Sequence, residues 1–279
     1  MSHVPFTIGD LTLAVPARAA SEAAFIYREI FERGCYLKHG VQLGSDAVVL
    51  DVGANIGLFS LYVARKFAGV RVHAFEPTPP IVACARENLA AHPNVLLHEV
   101  ALGAAEARTE ILFFPRAPGN STLHAGDKRE ECDAMSRGFR MSDVWGVSVL
   151  HGLALSLLYP LRRRLLRAYF AGRFDEGVRH DCRVTTLDRM IAEARITSID
   201  LLKIDVEGAE REVLEGLSDE NLARVAQLVL EVSPKHKPWI ETLRARLTRS
   251  GFTRVVVESA VPRSDYRGDV YPCVVFAVR

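Results

Sequence analysis

Residues 48–60 constrain the fold of this chain more than any other stretch. Val48-Val49-Leu50 is an apolar run without alternation, which is typical of a strand buried on both faces of a parallel sheet. Asp51 follows the run, Gly53 and Gly57 frame a tight turn, and a helical pattern begins after it. Glycine lets a backbone come close to a ligand where a Cβ would clash. The stretch therefore predicts a strand, a glycine-rich turn and a helix N-terminus, a frame that binds nucleotides and nucleoside-like cofactors.

The bulk composition argues against several classes of protein. A length of 279 residues suits one large α/β domain with an insertion, or two small domains, and 49% apolar residues can fill a core. The net charge of +1 argues against a general nucleic-acid binder, because affinity for phosphates needs a basic excess. The five scattered cysteines contain no CxxC pair, so we expect neither zinc nor a disulfide framework. The N-terminus lacks a secretory signal, so we expect a cytoplasmic protein.

Strand-like and helix-like patterns alternate along most of the chain, which predicts an α/β fold with helices on both faces of a sheet. We expect seven strands in this sheet, at 47–52, 70–75, 95–100, 199–204, 225–230, 252–258 and 271–278. The last two follow one another without a helical pattern between them, so they should form an antiparallel hairpin at one edge. A further strand is predicted at 109–114.

Residues 1–44 form an N-terminal segment ahead of this alternation. The pattern predicts a β-hairpin at 1–18 with Gly9 and Asp10 at its turn, and a helix at 19–34. This segment either caps the cofactor cleft or only packs against the fold.

Residues 116–180 interrupt the core, which occupies 45–115 and 181–279. The interruption contains an apolar run at 144–159 that is about as long as the shortest bilayer span. We expect no transmembrane span there, because the run contains a histidine and glycines and a soluble pattern resumes after it. We interpret the insertion as a helical lid over an apolar substrate, with a membrane-surface helix or a purely structural segment as the alternatives.

An acidic residue, Glu76, follows the second predicted strand, 25 positions after Asp51. In dinucleotide-binding folds an acid about 20 residues beyond the glycine motif holds the ribose hydroxyls. A carboxylate suits this role because it can accept a hydrogen bond from both hydroxyls of a cis-diol. The strand, turn and acid together predict a site for a nucleoside.

Four segments resemble the FkbM-type S-adenosylmethionine-dependent methyltransferases: DVGANIGLFS (51–60), FEP (75–77), LLKIDVEGAEREVLEGL (201–217) and LVLEV (228–232). The segment REIFERGCYLKHGVQL (28–43) resembles the variety found in polyketide and nonribosomal-peptide pathways, where it is free-standing or embedded. The resemblance covers roughly 25–115 and 183–260. It implies the Rossmann-like seven-stranded methyltransferase sheet, the cofactor S-adenosylmethionine and a place in secondary metabolism.

The resemblance also assigns cofactor contacts. Backbone donors of the turn would face the methionine carboxylate, and the residues concerned are Gly53, Asn55 and Gly57. Asp51 would hold the ammonium, directly or through water, and Glu76 would hold the ribose. The adenine would lie near Ala101 and its two neighbours in sequence.

Asp205 follows the fourth strand of the methyltransferase sheet, where the sulfonium methyl would be presented, and it could act as a base or a cofactor contact. Glu231 and His236 follow the fifth strand, and the carboxyl ends of parallel strands share one edge. His236 could be the general base, because its ordinary pKa lies near neutrality, or it could be an exposed residue at a helix start. We expect no metal, although these three side chains could hold a divalent cation. Substrate contacts are assigned to Glu207, Asn120 and Ser121, with simple turn roles as the alternative.

The predicted function is O-methylation of a small natural-product or carrier-protein-bound metabolite, with a homodimer left open. The alternative is an enzyme of the same fold that uses S-adenosylmethionine without transferring methyl, by an internal displacement that releases methylthioadenosine. An NAD-binding Rossmann enzyme is disfavoured because GANIG stands in place of GxGxxG. A non-catalytic binding module is disfavoured because Asp51, Glu76 and Asp205 are all present.

Overall fold

A computed structural model describes residues 3–124, 177–260 and 271–279, together with the single residues Gly126, Gly172 and Phe174. The strands in these residues are His3–Ile8 (β1), Leu11–Pro16 (β2), Val48–Val52 (β3), Arg71–Phe75 (β4), Val95–His98 (β5), Ala101–Leu102 (β6), Ala107–Phe113 (β7), Val178–Thr185 (β8), Leu201–Ile204 (β9), Gln227–Val232 (β10), Arg254–Ser259 (β11) and Cys273–Val278 (β12). The α-helices are Ala20–Tyr27 (α1), Leu58–Lys66 (α2), Pro79–Leu89 (α3), Leu187–Glu193 (α4), Glu210–Glu215 (α5), Asp219–Leu222 (α6) and Ile240–Arg249 (α7).

Seven strands form one sheet in the order β11-β12-β10-β9-β3-β4-β5. Strands β10, β9, β3, β4 and β5 are parallel, whereas β12 is antiparallel to both β10 and β11. The predicted seven-stranded sheet and its antiparallel edge are therefore confirmed. The chain order reverses direction between β3 and β9, and ligands of open α/β sheets bind beyond the carboxyl ends of strands at such a point.

Both faces of the sheet are covered. One hydrophobic cluster packs α2, α3 and the first hairpin against one face, and a second packs α4, α5 and α7 against the other. Within β3, Val49 belongs to the first cluster, whereas Leu50 and Val52 belong to the second. This explains why the strand is apolar without alternation, as the sequence indicated.

The N-terminal segment contains the expected hairpin, formed by β1 and β2 with Gly9 in a left-handed conformation at its turn. The predicted helix at 19–34 is instead two elements. The α-helix ends at Tyr27 and continues as a π-helix over Arg28–Glu32. Tyr27 and Phe31 stack across this change with ring centroids 4.6 Å apart.

A second, three-stranded sheet has the order β6-β8-β7. Strand β7 matches the strand predicted at 109–114, but β8 was not predicted, and it begins at Val178, inside the predicted insertion. Many of its exposed positions carry charged residues, so the sequence lacks the apolar run by which the other strands were recognised. Its partner β7 also lies some 70 residues earlier in the chain. Most of the insertion, including the apolar run at 144–159, lies outside the described residues. In the residues that the structure describes, no helix is long and apolar enough to cross a membrane.

Candidate active site

The turn after β3 lies against the end of β9. Gly53 has a φ of +78°, and a Cβ at this position would overlap the backbone carbonyl oxygen of Asp205. Gly57 has a φ of +86°, and a Cβ there would lie 2.9 Å from Leu89. Glycine is thus needed here for contact between parts of the chain itself, where the sequence had suggested close approach to a ligand.

Backbone amides of this turn donate hydrogen bonds within the protein. The amides of Gly53 and Ala54 both donate to the carbonyl of Phe75, at 3.0 and 2.9 Å. The next three amides donate to the Glu76 carboxylate (3.1 Å), the Asn55 side chain (2.6 Å) and the Ala54 carbonyl (2.9 Å). In this structure all five amides of the turn are engaged inside the protein, including the three expected to face a bound carboxylate, at Gly53, Asn55 and Gly57, so the turn forms a wall of the crevice.

Asp51 is completely buried at the end of β3. Its carboxylate accepts a hydrogen bond from the Ser60 hydroxyl at 2.7 Å and forms an ion pair with the Lys203 ammonium at 3.0 Å. Lys203 also donates to the Gly53 carbonyl at 2.8 Å. Burial alone would lower the pKa of Lys203, but the carboxylates of Asp51 and Asp205 outweigh burial and raise it. Sequence reasoning missed Lys203, although a lysine in an otherwise apolar strand was a visible signal.

Glu76 directly follows β4, as the sequence predicted, and its side chain reaches the β3 turn. Its two carboxylate oxygens accept hydrogen bonds from the amides of Asn55 (3.1 Å) and Thr78 (2.9 Å). Burial raises the pKa of this carboxyl, and the hydrogen bonds from Thr78 and Asn55 oppose the shift. A carboxylate has about four lone-pair sites, so two remain after these bonds.

The segment expected near the adenine is apolar and enclosed. Val100, Ala101 and Leu102 are all buried, and Ala101 pairs with Val184 of β8. The neighbouring Glu99 is exposed and forms an ion pair with Arg86.

Asp205 and Glu231 lie together at the carboxyl edge of the sheet. The two residues directly follow Ile204 and Leu230, which are paired in the β9–β10 register. Burial, together with the negative charges of Asp205, Glu207 and Glu210, raises the pKa of Glu231 well above its ordinary value.

His236 pairs with a carboxylate that sequence reasoning missed. Its Nδ1 atom lies 3.1 Å from Oε2 of Glu210, which is almost fully buried in the first turn of α5. The same oxygen accepts a hydrogen bond from Ser233, and the other accepts from the Gly208 amide at 2.6 Å. An acid in the first helical turn after DVEGA was the available sequence signal. His236 is thus an oriented imidazole and not an exposed residue at a helix start.

The three predicted substrate residues all make hydrogen bonds within the protein. The hydroxyl of Ser121 donates to the Pro118 carbonyl at 2.7 Å within its own turn. Asn120 lies 3.5 Å from the Glu22 carboxylate of α1, which also accepts from the Gly119 amide. The backbone carbonyl of Glu207 accepts from the buried hydroxyl of Thr122 at 2.9 Å. The segment 118–124 therefore joins the N-terminal segment to the loop that follows β9.

Among residues 3–124, 177–260 and 271–279, no three His, Cys, Asp or Glu side chains are grouped so that they could hold a metal ion. The divalent-cation alternative for Asp205, Glu231 and His236 therefore gains no support from the described part of the chain.

Comparison with known proteins agrees with this geometry. The "Methyltransferase FkbM domain" family matches residues 51–253. The chain is 38% identical over 237 residues to 31-O-demethyl-FK506 methyltransferase FkbM of Streptomyces tacrolimicus, covering 85% of this chain and 84% of that one. It is 35% identical over 252 residues to methyltransferase sdnD of Sordaria araneosa, covering 87% and 88% of the two chains.

A third relative is much longer. The chain is 36% identical over 260 residues to AMB antimetabolite synthetase AmbE of Pseudomonas aeruginosa, and the match spans 90% of this chain but only 12% of AmbE. The family match, the full-length relatives and the sheet order lead to one conclusion. This chain belongs to the FkbM family of S-adenosylmethionine-dependent methyltransferases.

Proposed function

We propose that this enzyme transfers a methyl group to a hydroxyl oxygen of a small natural-product or carrier-bound metabolite, with His236 as the general base. The observation that carries this proposal is the Glu210–His236 pair at the edge of the sheet where Asp205 and Glu231 also lie. An ionised carboxylate only accepts hydrogen bonds, so the Nδ1 atom of His236 donates to Glu210 and its Nε2 atom is the basic position.

The residues of the crevice fit the chemistry of S-adenosylmethionine, which supplies an electrophilic methyl group on sulfur. Glu76 has lone pairs left to accept from ribose hydroxyls, and the apolar segment 100–102 suits the adenine. Because the amides of the turn are engaged, the first turn of α2 is the better source of donors for the methionine carboxylate. The buried Asp51–Lys203 pair fixes the turn, because Lys203 also donates to the Gly53 carbonyl. Asp51 would reach the ammonium of the cofactor through water.

Proton removal and alignment are the two tasks left to the protein. Methyl transfer to oxygen is an in-line displacement, so the acceptor must be aligned with methyl and sulfur. His236 would remove the hydroxyl proton as the new bond forms, and Glu210 would stabilise the resulting imidazolium. Asp205 would face the position where the methyl group is presented.

Two relatives support the acceptor class. The name of one describes a 31-O-demethyl substrate, which supports oxygen as the acceptor atom. Another relative is a synthetase of which the matched part is 12%, so the matched segment there is one part of a larger enzyme, and a substrate presented by a neighbouring domain would fit that arrangement. The predicted lid at 116–180 would cover an apolar part of such a substrate.

The test is incubation of the purified protein with methyl-labelled S-adenosylmethionine and a panel of hydroxylated metabolites, free and carrier-bound. Mass spectrometry should find S-adenosylhomocysteine and a methyl ether in equal amounts. Methylthioadenosine as the nucleoside product would instead support the internal-displacement alternative and overturn the proposal.

The base is tested with His236→Ala. We expect kcat to fall by about 100-fold to 10,000-fold, since this is the usual contribution of a general base. The matched control is His3→Ala, which removes another histidine paired with a glutamate (2.8 Å from Glu87), but on the first hairpin. A loss of less than about threefold in His236→Ala would exclude His236 as the base.

A further inference from the structure

Tyr36 brings the N-terminal segment into contact with the active site. Its hydroxyl donates a hydrogen bond of 2.7 Å to Oδ2 of Asp205, a residue 169 positions further along the chain. Its ring packs edge-on against Phe59 of α2, with centroids 5.1 Å apart. The ammonium of Lys203 lies 5.3 Å from the centre of the same ring. Tyr36 thus touches both the β3–α2 side of the crevice and the β9 side.

The surroundings fix the tyrosine in the protonated state. Burial and the negative charge of Asp205 raise the pKa of Tyr36 well above its ordinary value, so the hydroxyl remains a donor at physiological pH. Asp51 and the Gly53 carbonyl hold the Lys203 ammonium in place, so this cation is fixed beside the Tyr36 ring.

The carboxyls of Asp205 and Glu231 lie at the same edge of the sheet. The negative charge of Asp205 is among the causes that raise the pKa of Glu231. The hydrogen bond from Tyr36 holds one carboxylate oxygen of Asp205 and so restricts the rotation of this side chain. One such bond uses one of the roughly four lone-pair sites of a carboxylate, so Asp205 can still face the reacting groups.

We propose that Tyr36 is a positioning residue, whose hydroxyl holds the Asp205 carboxylate aimed at the site of the transferred methyl group. The N-terminal segment is then part of the active site and more than packing. This inference rests on the proposed function for the placement of Asp205 beside the methyl group, but it does not depend on the identity of the acceptor.

The experiment compares two ligands that differ at the methyl position. S-adenosylhomocysteine has no group there, whereas sinefungin carries an amine in that place and should gain from a carboxylate aimed at it. Their dissociation constants are measured by calorimetry on the natural protein, Tyr36→Phe, Asp205→Asn and the double variant. The control is Tyr62→Phe, which removes a hydroxyl that binds Lys66 (2.6 Å) on the same helix that carries Phe59.

We expect Tyr36→Phe to reduce the preference for sinefungin over S-adenosylhomocysteine by about tenfold or more, as for loss of a hydrogen bond to a charged group. Affinity for S-adenosylhomocysteine should stay within about twofold, because the ring remains in place. Adding Tyr36→Phe to Asp205→Asn should change little, because the tyrosine acts through the carboxylate.

An equal loss of affinity for both ligands in Tyr36→Phe would make the hydroxyl merely structural and overturn the inference. An unchanged preference in Tyr36→Phe, with a reduced one in Asp205→Asn, would also overturn it while leaving Asp205 beside the methyl group. An unchanged preference in Asp205→Asn would remove Asp205 from that position and overturn both this inference and the role assigned to Asp205 in the proposed function.

Discussion

A methyl group at position 53 would overlap the carbonyl oxygen of Asp205, so Gly53 decides whether the ends of β3 and β9 can meet. We expect Gly53→Ala to lower the free energy of unfolding by at least about 3 kcal/mol, from the overlap and the strained φ together. Gly34→Ala is the matched control, because Gly34 also has a positive φ (+59°) but no atom within 4 Å of an added Cβ. That variant should lose only about 1–2 kcal/mol. Urea denaturation followed by circular dichroism measures both, and similar losses would show that φ alone requires glycine at position 53.

Glu212 provides an acid-sensitive contact at the edge of the candidate site. Its carboxylate lies 3.3 Å from the His124 imidazole, and this hydrogen bond lowers its pKa from 4.5 to about 2. A carboxyl with a depressed folded-state pKa contributes stability above its unfolded pKa, and this contribution is lost as the pH falls toward the folded value. We therefore expect Glu212→Gln to be less stable than the natural protein at about pH 5.5, and the difference to shrink by about pH 3.

Urea denaturation of both proteins at the two pH values measures this difference. Glu220→Gln is the control, since Glu220 forms an exposed pair with Arg224 and should change stability by less than about 1 kcal/mol at either pH. A difference for Glu212→Gln that grows as the pH falls would contradict the argument.

At the scale of elements, one side chain fastens the first hairpin to the core. Asn88 of α3 accepts from the Ala14 amide (2.6 Å) and donates to the carbonyls of Ala14 (3.0 Å) and Ile56 (2.8 Å). Asn88→Ala would leave these backbone groups without their partner, at a cost of about 2–3 kcal/mol. Hydrogen exchange should speed up in β2 and in the β3–α2 turn together. Asn94→Ala, which removes one bond to Val70 (2.8 Å), should leave exchange in β2 unchanged.

The elements also show where sequence reasoning was sufficient. The parallel strands were predictable because each is an apolar run followed by a polar or acidic residue, as β3 is followed by the glycine turn and β9 by Asp205. Strand β8 was not, because its side chains outside the core are charged and its pairing partner β7 is distant in sequence. The π-helical continuation of α1 was missed for a different reason, since helical spacing of apolar residues does not distinguish the two kinds of turn.

At the scale of the whole molecule, the candidate site depends on contacts between distant parts of the chain. The pattern of single segments indicated Asp51, Glu76 and Asp205, because each lies at the carboxyl end of its own strand. Tyr36 and Lys203 become part of the site only when the N-terminal segment and β9 come together. These segments are too far apart in sequence for a local pattern to indicate their contact. This is why the cofactor side of the site could be predicted more fully than the groups that orient Asp205.

The Asp51–Lys203 pair joins these distant parts, because Asp51 of β3 and Lys203 of β9 are partners in the strand register and both strands carry residues of both hydrophobic clusters. Lys203→Met removes one partner and leaves a buried negative charge, so we expect a loss of about 3–5 kcal/mol in the free energy of unfolding. Adding Asp51→Asn removes that charge and should restore at least about half of the loss. Urea denaturation of the two single variants and the double variant measures the coupling.

Cofactor binding to the same variants separates the two roles of Asp51. If the carboxylate only fixes the turn, the double variant should bind S-adenosylhomocysteine nearly as well as the natural protein once its fold is restored. If Asp51 also reaches the ammonium through water, the restored fold should still bind about tenfold more weakly, as expected for a lost hydrogen bond to a charged group. We expect the second result, because the Ser60 and Lys203 contacts described above leave a carboxylate with lone pairs to spare at the end of β3. Full affinity in a stable double variant would make Asp51 a structural residue and leave the ammonium to another group.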